Sequence, residues 1–229
     1  MTTAPLRLGI SRCLLGDEVR VDGGHKRDHF LTEVLGRYVE WVSVCPEVEA
    51  GLGTPREAMR LVGDPLDPRL VTIKNGADHT RALETLTTNR IEELKELELS
   101  GYVFKKGSPS CGIERVRVYN KDGMPNRNGV GLFARAFIEE FPLIPVEEEG
   151  RLYDSTLREN FIERVFVTTD GRISFRAEPR GRPWCSSTRS TNIYSWPITR
   201  NNAQRLGGWL GRRSNTLRIS SHFGMAICS

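Results

Sequence analysis

The chain has 229 residues and a formal net charge of +4, from 33 lysines and arginines against 29 aspartates and glutamates. This length suffices for one substantial buried core, or for one domain with an appendage. The sequence contains no apolar run of about 18 residues and no apolar segment before a signal cleavage site, which argues against a membrane-spanning helix or a secretory signal and predicts a cytoplasmic protein.

Three cysteines follow apolar runs that each predict a β-strand. The runs and their cysteines are residues 6–11 with Cys13, residues 38–44 with Cys45, and residues 101–110 with Cys111. Helical patterns separate the runs, so the strands are predicted to be parallel members of one Rossmann-like α/β sheet, whose carboxyl ends line an edge where ligands bind. Because disulfides are rare in a reducing compartment, the convergence of these thiols predicts a metal or iron–sulfur site with three protein ligands.

The other predicted elements lie between and after these strands. A glycine-rich loop at residues 21–26 leads to a helix that begins near Asp28, and short strands near residues 58–62 and 70–73 flank a turn. Residues 78–99 show the clearest helical pattern and complete a βαβ crossover into the third cysteine strand. Further helices are predicted at residues 130–141 and 154–166.

For any one of these cysteines, an inert buried thiol is an equally good interpretation. Their shared position beside Gly, Pro or Ser at strand ends favours ligands instead. Zinc is a competing metal, although the paired CxxC units of structural zinc sites are absent, as are the cysteine runs of ferredoxins.

A carboxylate and two hydroxyls accompany the thiols. Glu47 lies two residues beyond Cys45 and is either a general acid or base or a solvated loop glutamate. Ser108 and Ser110 precede Cys111 and can donate hydrogen bonds to an anion or to cluster sulfur, although Ser-Pro by itself indicates only a turn. The weaker candidates are Glu49 and Glu57.

The glycine-rich loop supplies three candidate ligands for a polar substrate, Asp22, His25 and Lys26. A single loop histidine more often has no function than binds a ligand. The loop therefore predicts substrate binding less strongly than the cysteine motifs predict a metal site.

Four motifs, SRCLLG, VRVDGGHKRD, VCPEVEAGLGTPRE and KKGSPSCG, in this order and spacing closely resemble the bacterial domain-of-unknown-function family 523, which includes thiouracil and thiouridine desulfidases. The resemblance runs from about residue 6 to about residue 141. It implies that the three cysteines hold a [4Fe–4S] cluster whose fourth iron is free to bind the sulfur of the substrate. It also implies that Glu47 and Ser108 act in catalysis and that Ser110 binds the substrate.

The implied activity is the removal of sulfur from a thiolated nucleobase, a thiolated tRNA base or a related small molecule. The open iron would act as a Lewis acid rather than as an electron carrier, as the open position of a catalytic zinc does, while Glu47 activates water. Two other functions stay open. One is a non-catalytic cluster- or metal-binding module that senses redox state or iron, and the other is RNA binding through a basic tail.

The end of the chain differs in composition from the rest. Residues 168–229 contain ten arginines, no lysine and two acidic residues, with no helical or strand periodicity. Relatives often continue into a second, helical domain. Residues 157–167 resemble the join to that domain, and after Val167 the resemblance stops. If one nucleotide was lost there, the codons of residues 168–175 can be re-read as Tyr-His-Arg-Trp-Ala-Asp-Leu-Phe, which resembles the missing domain.

The sequence therefore predicts three segments. Residues 1–150 form an α/β domain that binds the iron–sulfur cluster, residues 151–167 begin a helical domain, and residues 168–229 are an out-of-frame, disordered tail. On this interpretation Cys185 and Cys228 are accidental and are not ligands. The competing interpretation of the same composition is a tail that binds RNA through arginine and aromatic side chains.

Overall fold

The structure is a computed structural model that describes the backbone of residues 6–177 and the side chains of residues 6–169. The predictions for residues 178–229, with Cys185 and Cys228, lie outside the described residues. The first half of the chain contains strands β1 (Arg7–Ser11) and β2 (Glu40–Val44), helix α1 (Pro46–Glu49), strands β3 (Met59–Asp64) and β4 (Asp67–Thr72), and helix α2 (Thr80–Glu96). Strands β5 (Gly101–Phe104), β6 (Val116–Tyr119) and β7 (Pro125–Gly129) follow. Helix α3 (Leu132–Glu140), strand β8 (Val146–Glu148) and helix α4 (Ser155–Ala177) come last.

Four strands form a parallel sheet, sheet A, in the order β2-β1-β5-β8. The two central strands are buried over nearly their whole length, as expected for a parallel sheet that is covered on both faces. Gly9 in β1 lies opposite Tyr102 in β5, and a Cβ atom at Gly9 would meet the Tyr102 ring at 2.1 Å. Because Gly9 has no side chain, the Tyr102 ring can pack directly against the face of the sheet.

The other four strands form a second sheet, sheet B, in the order β4-β3-β6-β7. The β3–β4 and β6–β7 pairs are antiparallel hairpins, and β3 and β6 join them in parallel. The hairpin predicted around residues 58–73 is therefore present, whereas the analysis of the sequence assigned no strand to β6, β7 or β8.

Each face of sheet A packs against helices. On one face, Leu8 and Val103 share a core with Phe161 and Val165 of α4. On the other face, an aromatic cluster surrounds Tyr102, whose ring stacks on Phe104 with ring centroids 4.0 Å apart. The remaining rings of that cluster come from α3 and its end, Phe133, Phe137 and Phe141.

The α/β class and the placement of the cysteines beyond strands of a parallel sheet are confirmed, but three predicted elements differ in extent. Strand β5 ends at Phe104, because the following Lys-Lys-Gly-Ser-Pro run leaves the sheet as a loop. The helix predicted near Asp28 is a π-helix at Phe30–Val34 followed by a short 3₁₀ turn. Helix α4 continues past residue 167 to Ala177. Within the described residues no helix is long and apolar enough to span a membrane.

Candidate functional site

The three cysteines lie at one edge of sheet A. Cys13 sits in a 3₁₀ turn directly after β1, Cys45 directly follows β2, and Cys111 belongs to the loop that follows β5. These strands are neighbours in the sheet, so the three thiols all reach the wall of one cavity of about 370 Å³. All three are free cysteines, and Cys13 and Cys111 are buried. The convergence expected from the strand order is therefore present.

Burial keeps these thiols protonated in the absence of a metal. It raises the pKa of Cys13 to about 11 and that of Cys45 above its usual value. It also raises the pKa of Cys111 well above its usual value, with the charge of Glu47 adding to the effect and a hydrogen bond with Ser11 opposing it. Thiolate is the form that binds metal, so a metal or cluster that enters this cavity must displace protons.

Basic side chains surround the thiols. Lys105 lies close enough to Cys13 to lower the pKa of that thiol against the effect of burial. The other basic residues that line the cavity are Arg12, Arg20, Lys26, Arg56 and Lys106. Positive charge around three sulfur ligands would offset the negative charge that they acquire when they bind metal.

The donor set fits an iron–sulfur cluster. Cysteine thiolates are the usual ligands of [4Fe–4S] clusters, and three of them leave one iron without a protein ligand. Within residues 6–169, no group of three or more His, Cys, Asp or Glu side chains is close enough to hold a single metal ion. Three thiols that line one cavity without meeting at a single ion leave each sulfur able to bind a different iron of one cluster.

Glu47 is a buried carboxylate with partners on both oxygens. It lies in the short helix α1, directly after Cys45, and is only 9% exposed. Its Oε2 accepts a hydrogen bond from Arg56 Nε at 2.9 Å and a second, shorter one from Arg56 Nη2. Its Oε1 accepts from Ser110 Oγ at 2.8 Å and from Ser108 Oγ at 3.5 Å. Glu47 is therefore held in one orientation at the cavity wall.

Arg56 joins this carboxylate to the cysteine loops. Its guanidinium also donates to the carbonyl oxygens of Val19 and Gly53, both at 3.0 Å. The same Val19 carbonyl accepts from Cys45 Sγ at 3.9 Å. Arg56 was not among the predicted site residues, although it lies in the GTPRE segment of the third motif. An arginine within the motif that contains the candidate catalytic carboxylate is the signal that could have identified it.

Ser108 and Ser110 have different surroundings. Ser108 Oγ accepts the backbone N–H groups of Ser110 and Cys111, each at 3.2 Å, so this hydroxyl closes the turn that carries the third cysteine. Ser110 is fully buried and is the closer partner of Glu47. The hydroxyl with the more direct contact to the carboxylate is therefore that of Ser110.

Helix α3 holds the serine loop in place. The first backbone N–H groups of the helix, those of Phe133 and Ala134, donate to the Ser110 carbonyl at 3.1 Å, and Leu132 N donates to the Pro109 carbonyl at 3.2 Å. Helix N-termini leave such donors without partners inside the helix, so the loop satisfies them. Gly131 allows this approach, since a Cβ atom there would meet the carbonyl oxygen of Ser110 at 2.5 Å.

Ser11 is a further polar group at the cavity that the sequence analysis missed. Its Oγ accepts the backbone N–H of Lys105 at 2.9 Å, and its hydroxyl hydrogen-bonds with Cys111. Ser11 thereby ties the end of β1 to the start of the serine loop. Its position within SRCLLG, two residues before a ligand candidate, is the only signal in the sequence.

Of the three predicted substrate-binding residues in the glycine-rich loop, only Lys26 lines the cavity. Its backbone N–H donates to the Cys13 carbonyl at 2.9 Å. Asp22 and His25 are exposed and do not line it. Asp22 accepts from Gly24 N at 3.0 Å, and His25 Nδ1 accepts from Arg27 N at 3.1 Å.

The two weaker glutamate candidates have local roles. Glu49 accepts the backbone N–H of Cys45 at 2.9 Å and so satisfies a donor at the start of α1. Glu57 accepts the backbone N–H groups of Lys74 and Asn75 in a turn. Neither lines the cavity.

The comparisons with known proteins agree with this geometry. The sequence profile of a family described as 2-thiouracil desulfurase matches residues 8–149, which include all three cysteines and Glu47. The chain belongs to this family. The resemblance inferred from the four motifs is thus confirmed.

Two relatives of this family member are informative. A solved structure described as a [4Fe-4S]-dependent thiouracil desulfidase, TudS (DUF523), is 29% identical, with a TM-score of 0.54, over 67% of this chain and 97% of that chain. The uncharacterized protein YbbK of Bacillus subtilis (strain 168) is 29% identical over 108 residues, which are 45% of this chain and 71% of the relative. The first match shows that this chain shares the α/β fold of that solved structure.

Proposed function

We propose that this chain removes sulfur from a thiolated nucleobase or a related small molecule with the help of a [4Fe–4S] cluster. The observation that carries the proposal is the single cavity lined by three cysteine thiols and the buried Glu47 carboxylate. The structural relative, which is described as a [4Fe-4S]-dependent thiouracil desulfidase, supports it. The cavity of about 370 Å³ is at the lower end of small-molecule sites, and a single nucleobase is a ligand of suitable size.

In this proposal Cys13, Cys45 and Cys111 hold the cluster. When bound, the cluster would supply an iron without a protein ligand, which accepts the soft thiocarbonyl sulfur as a Lewis acid. The overall reaction replaces the carbon–sulfur bond of the substrate by a carbon–oxygen bond from water and releases hydrogen sulfide, so it consumes no electrons.

Glu47 would act as the general base for that water. Its Oε2 is held by Arg56 and its Oε1 by Ser110, and the side chain lines the cavity. A carboxylate at the cavity wall can take a proton from water as it attacks the thiocarbonyl carbon.

The serine hydroxyls would assist from the same side. Ser110 donates to Glu47 and fixes its orientation, while Ser108 holds the Cys111 loop and lines the cavity that would receive the substrate. Lys26 is the loop residue placed to contact a polar group of the substrate. Asp22 and His25 lie on the same exposed loop as Lys26 and would contact the part of a substrate that extends out of the cavity.

Anaerobic reconstitution followed by an assay for sulfide release tests the proposal. The expected result is a brown protein with about four iron atoms per chain that releases sulfide from 2-thiouracil. A protein that binds the cluster and releases no sulfide from 2-thiouracil or its nucleoside would instead be a sensor module. A protein that binds no iron would contradict the cluster assignment.

A further inference from the structure

A second cavity, of about 460 Å³, lies on sheet B beside the thiol cavity. The two cavities share part of their walls, including Met59, Lys106 and Pro109. Neither a thiol nor Glu47 lines the second cavity, so it is chemically different from the first. Its basic lining residues are Arg60, Lys106, Arg115, Arg117 and Arg127.

Three of these arginines form a row across neighbouring strands. Arg117 in β6 and Arg127 in β7 are directly opposed in the antiparallel hairpin. Val116 and Val118 on either side of Arg117 are buried, so both arginines point away from the core. Arg60 in β3 is on the same face, because its neighbour Leu61 is buried and pairs with Val118.

The acidic residues at this cavity do not neutralise the row. Glu114 pairs with Arg151 at 3.2 Å, and Glu148 is buried and accepts the backbone N–H of Ile113 at 3.1 Å. In the part of the chain whose side chains are described, the guanidinium groups of Arg115, Arg117 and Arg127 form no ion pair or side-chain hydrogen bond.

Arg60 carries a donor that no group of the described residues satisfies. Its guanidinium lies over the Tyr119 ring, 4.9 Å from the ring centroid, and its Nε is buried without a hydrogen-bond acceptor. A buried donor without an acceptor is costly, and a ligand oxygen would satisfy it.

Directly opposed like charges on two strands destabilise a hairpin, so a row of arginines without acidic partners is unfavourable in the free protein. Guanidinium groups are the protein donors best suited to phosphate oxygens, and binding an anion would remove the repulsion. Neighbouring strands are about 4.8 Å apart, so three strands place the outer arginines about 10 Å apart, enough for two phosphate groups.

We propose that Arg60, Arg117 and Arg127 form a site for a ligand that carries two neighbouring phosphate groups, separate from the thiol cavity. Two sources supply this chemistry, namely a small diphosphate compound and two consecutive phosphates of a single nucleic-acid strand. The site does not depend on the proposed desulfidase activity, because it shares no cysteine or catalytic carboxylate with it.

The first test measures inorganic pyrophosphate binding to the full chain by calorimetry at constant ionic strength. The double variant Arg117→Gln/Arg127→Gln should bind at least tenfold more weakly than the unmodified protein. Arg69→Gln is the matched control, because Arg69 is exposed on the same sheet but is paired with Asp78 at 3.6 Å. Equal affinity in the double variant, or an equal loss in the control, would overturn the proposal.

Thermal unfolding without ligand gives a second measurement. If the opposed arginines repel each other, the double variant should melt at the same or a higher temperature than the unmodified protein, and pyrophosphate should raise the melting temperature of the unmodified protein alone. A double variant that melts at a lower temperature without ligand would mean that these side chains are structural, against the proposal.

Binding of a short single-stranded RNA without thiolated bases distinguishes a nucleic-acid strand from a small diphosphate compound as the ligand. Tighter binding of this RNA than of pyrophosphate, with the same dependence on Arg117 and Arg127 and a steep decrease with salt, assigns the site to a phosphodiester chain. Equal or weaker RNA binding assigns it to a small diphosphate compound. Sulfide release from free 2-thiouracil should be unchanged in the double variant, which separates this site from the proposed reaction.

Discussion

At the scale of single residues, the buried ion pair between Glu47 and Arg56 is the feature that distinguishes this site from a loop with cysteines. The side chains are 12% and 7% exposed, and four hydrogen bonds or ion-pair contacts hold the carboxylate. Such a pair keeps a charged group at the cavity wall, where a solvated glutamate would instead turn outward.

Replacing Glu47 by Gln tests its role in proton transfer. The amide keeps the size and one acceptor of the carboxylate but cannot take a proton, so we expect unchanged iron content and a rate of sulfide release lower by about 10²–10⁴. Glu57→Gln is the control and should retain full activity, because the Glu57 side chain does not line the cavity. Loss of iron in Glu47→Gln would make the carboxylate a support for the cluster, and an unchanged rate would exclude it as the base.

Replacing Arg56 by Gln tests the ion pair. The Glu47 carboxylate would be left buried without its charged partner, so the free energy of unfolding should fall by about 3–5 kcal/mol in urea titrations. The double variant Arg56→Gln/Glu47→Gln should lose less than the sum of the two single changes, because it buries no unpaired charge. Strict additivity would contradict a direct interaction.

The cysteine assignment is tested by iron content after anaerobic reconstitution. Each of Cys13→Ala, Cys45→Ala and Cys111→Ala should bind little or no iron, since each removes one of only three thiolate ligands. Cys185→Ala and Cys228→Ala are the controls and should bind iron as the unmodified protein does. Full iron loading in Cys45→Ala would show that the site is assigned wrongly.

At the scale of elements, the position of Cys111 depends on helix α3. The N-terminal amides of the helix bind the carbonyls of the serine loop, and Ser108 closes the turn inside the loop. Cys111, the third proposed ligand, is thus placed by a helix that begins about twenty residues later in the chain. Cys13 and Cys45 need no such support, because each follows its strand directly.

Gly131→Ala is expected to disturb this arrangement. Its Cβ would meet backbone atoms of Ser110 at 2.5 Å, and backbone cannot move aside as a flexible side chain can. We expect destabilisation of about 1–3 kcal/mol, the range for overpacking, together with reduced iron binding. Gly150→Ala is the matched control, because its Cβ would only meet Lys106 Cδ at 3.5 Å. Normal iron content and stability in Gly131→Ala would show that the loop does not rely on this contact.

At the scale of the whole molecule, helix α4 packs against sheet A and so belongs to the α/β domain. Its residues Phe161 and Val165 are buried in the same core as Leu8 and Val103 of sheet A. In addition, Thr169 Oγ1 hydrogen-bonds with Ser100 Oγ at 2.9 Å, just before β5. Residues 151–167 therefore cover one face of the sheet that carries the cysteines.

Truncation tests the predicted division of the chain. Removal of residues 168–229 should leave iron binding and sulfide release intact, because the core contacts of Phe161 and Val165 remain. Removal of residues 151–229 should instead expose that face, with a loss of about 3–5 kcal/mol for the missing phenylalanine alone. Loss of iron binding in the longer fragment would show that residues 168–229 contribute to the site or to its stability.

The sequence by itself determined the family, the α/β class and which strands present the candidate cysteine ligands. Cys13, Cys45 and Cys111 could be placed at strand ends because apolar runs and the Gly, Pro or Ser residues that follow them are local signals. The four motifs likewise identified the family, which the match over residues 8–149 confirms.

Only the tertiary structure decided how these parts are held together. Arg56 binds Glu47 across a loop, Ser11 binds Lys105 at a separation of 94 residues, and β6 joins β3 in a parallel pair. Such contacts depend on the order of strands and the packing of helices, which no local pattern encodes. The pairing of Arg117 with Arg127 also could not be predicted locally, because it depends on the register of the β6–β7 hairpin.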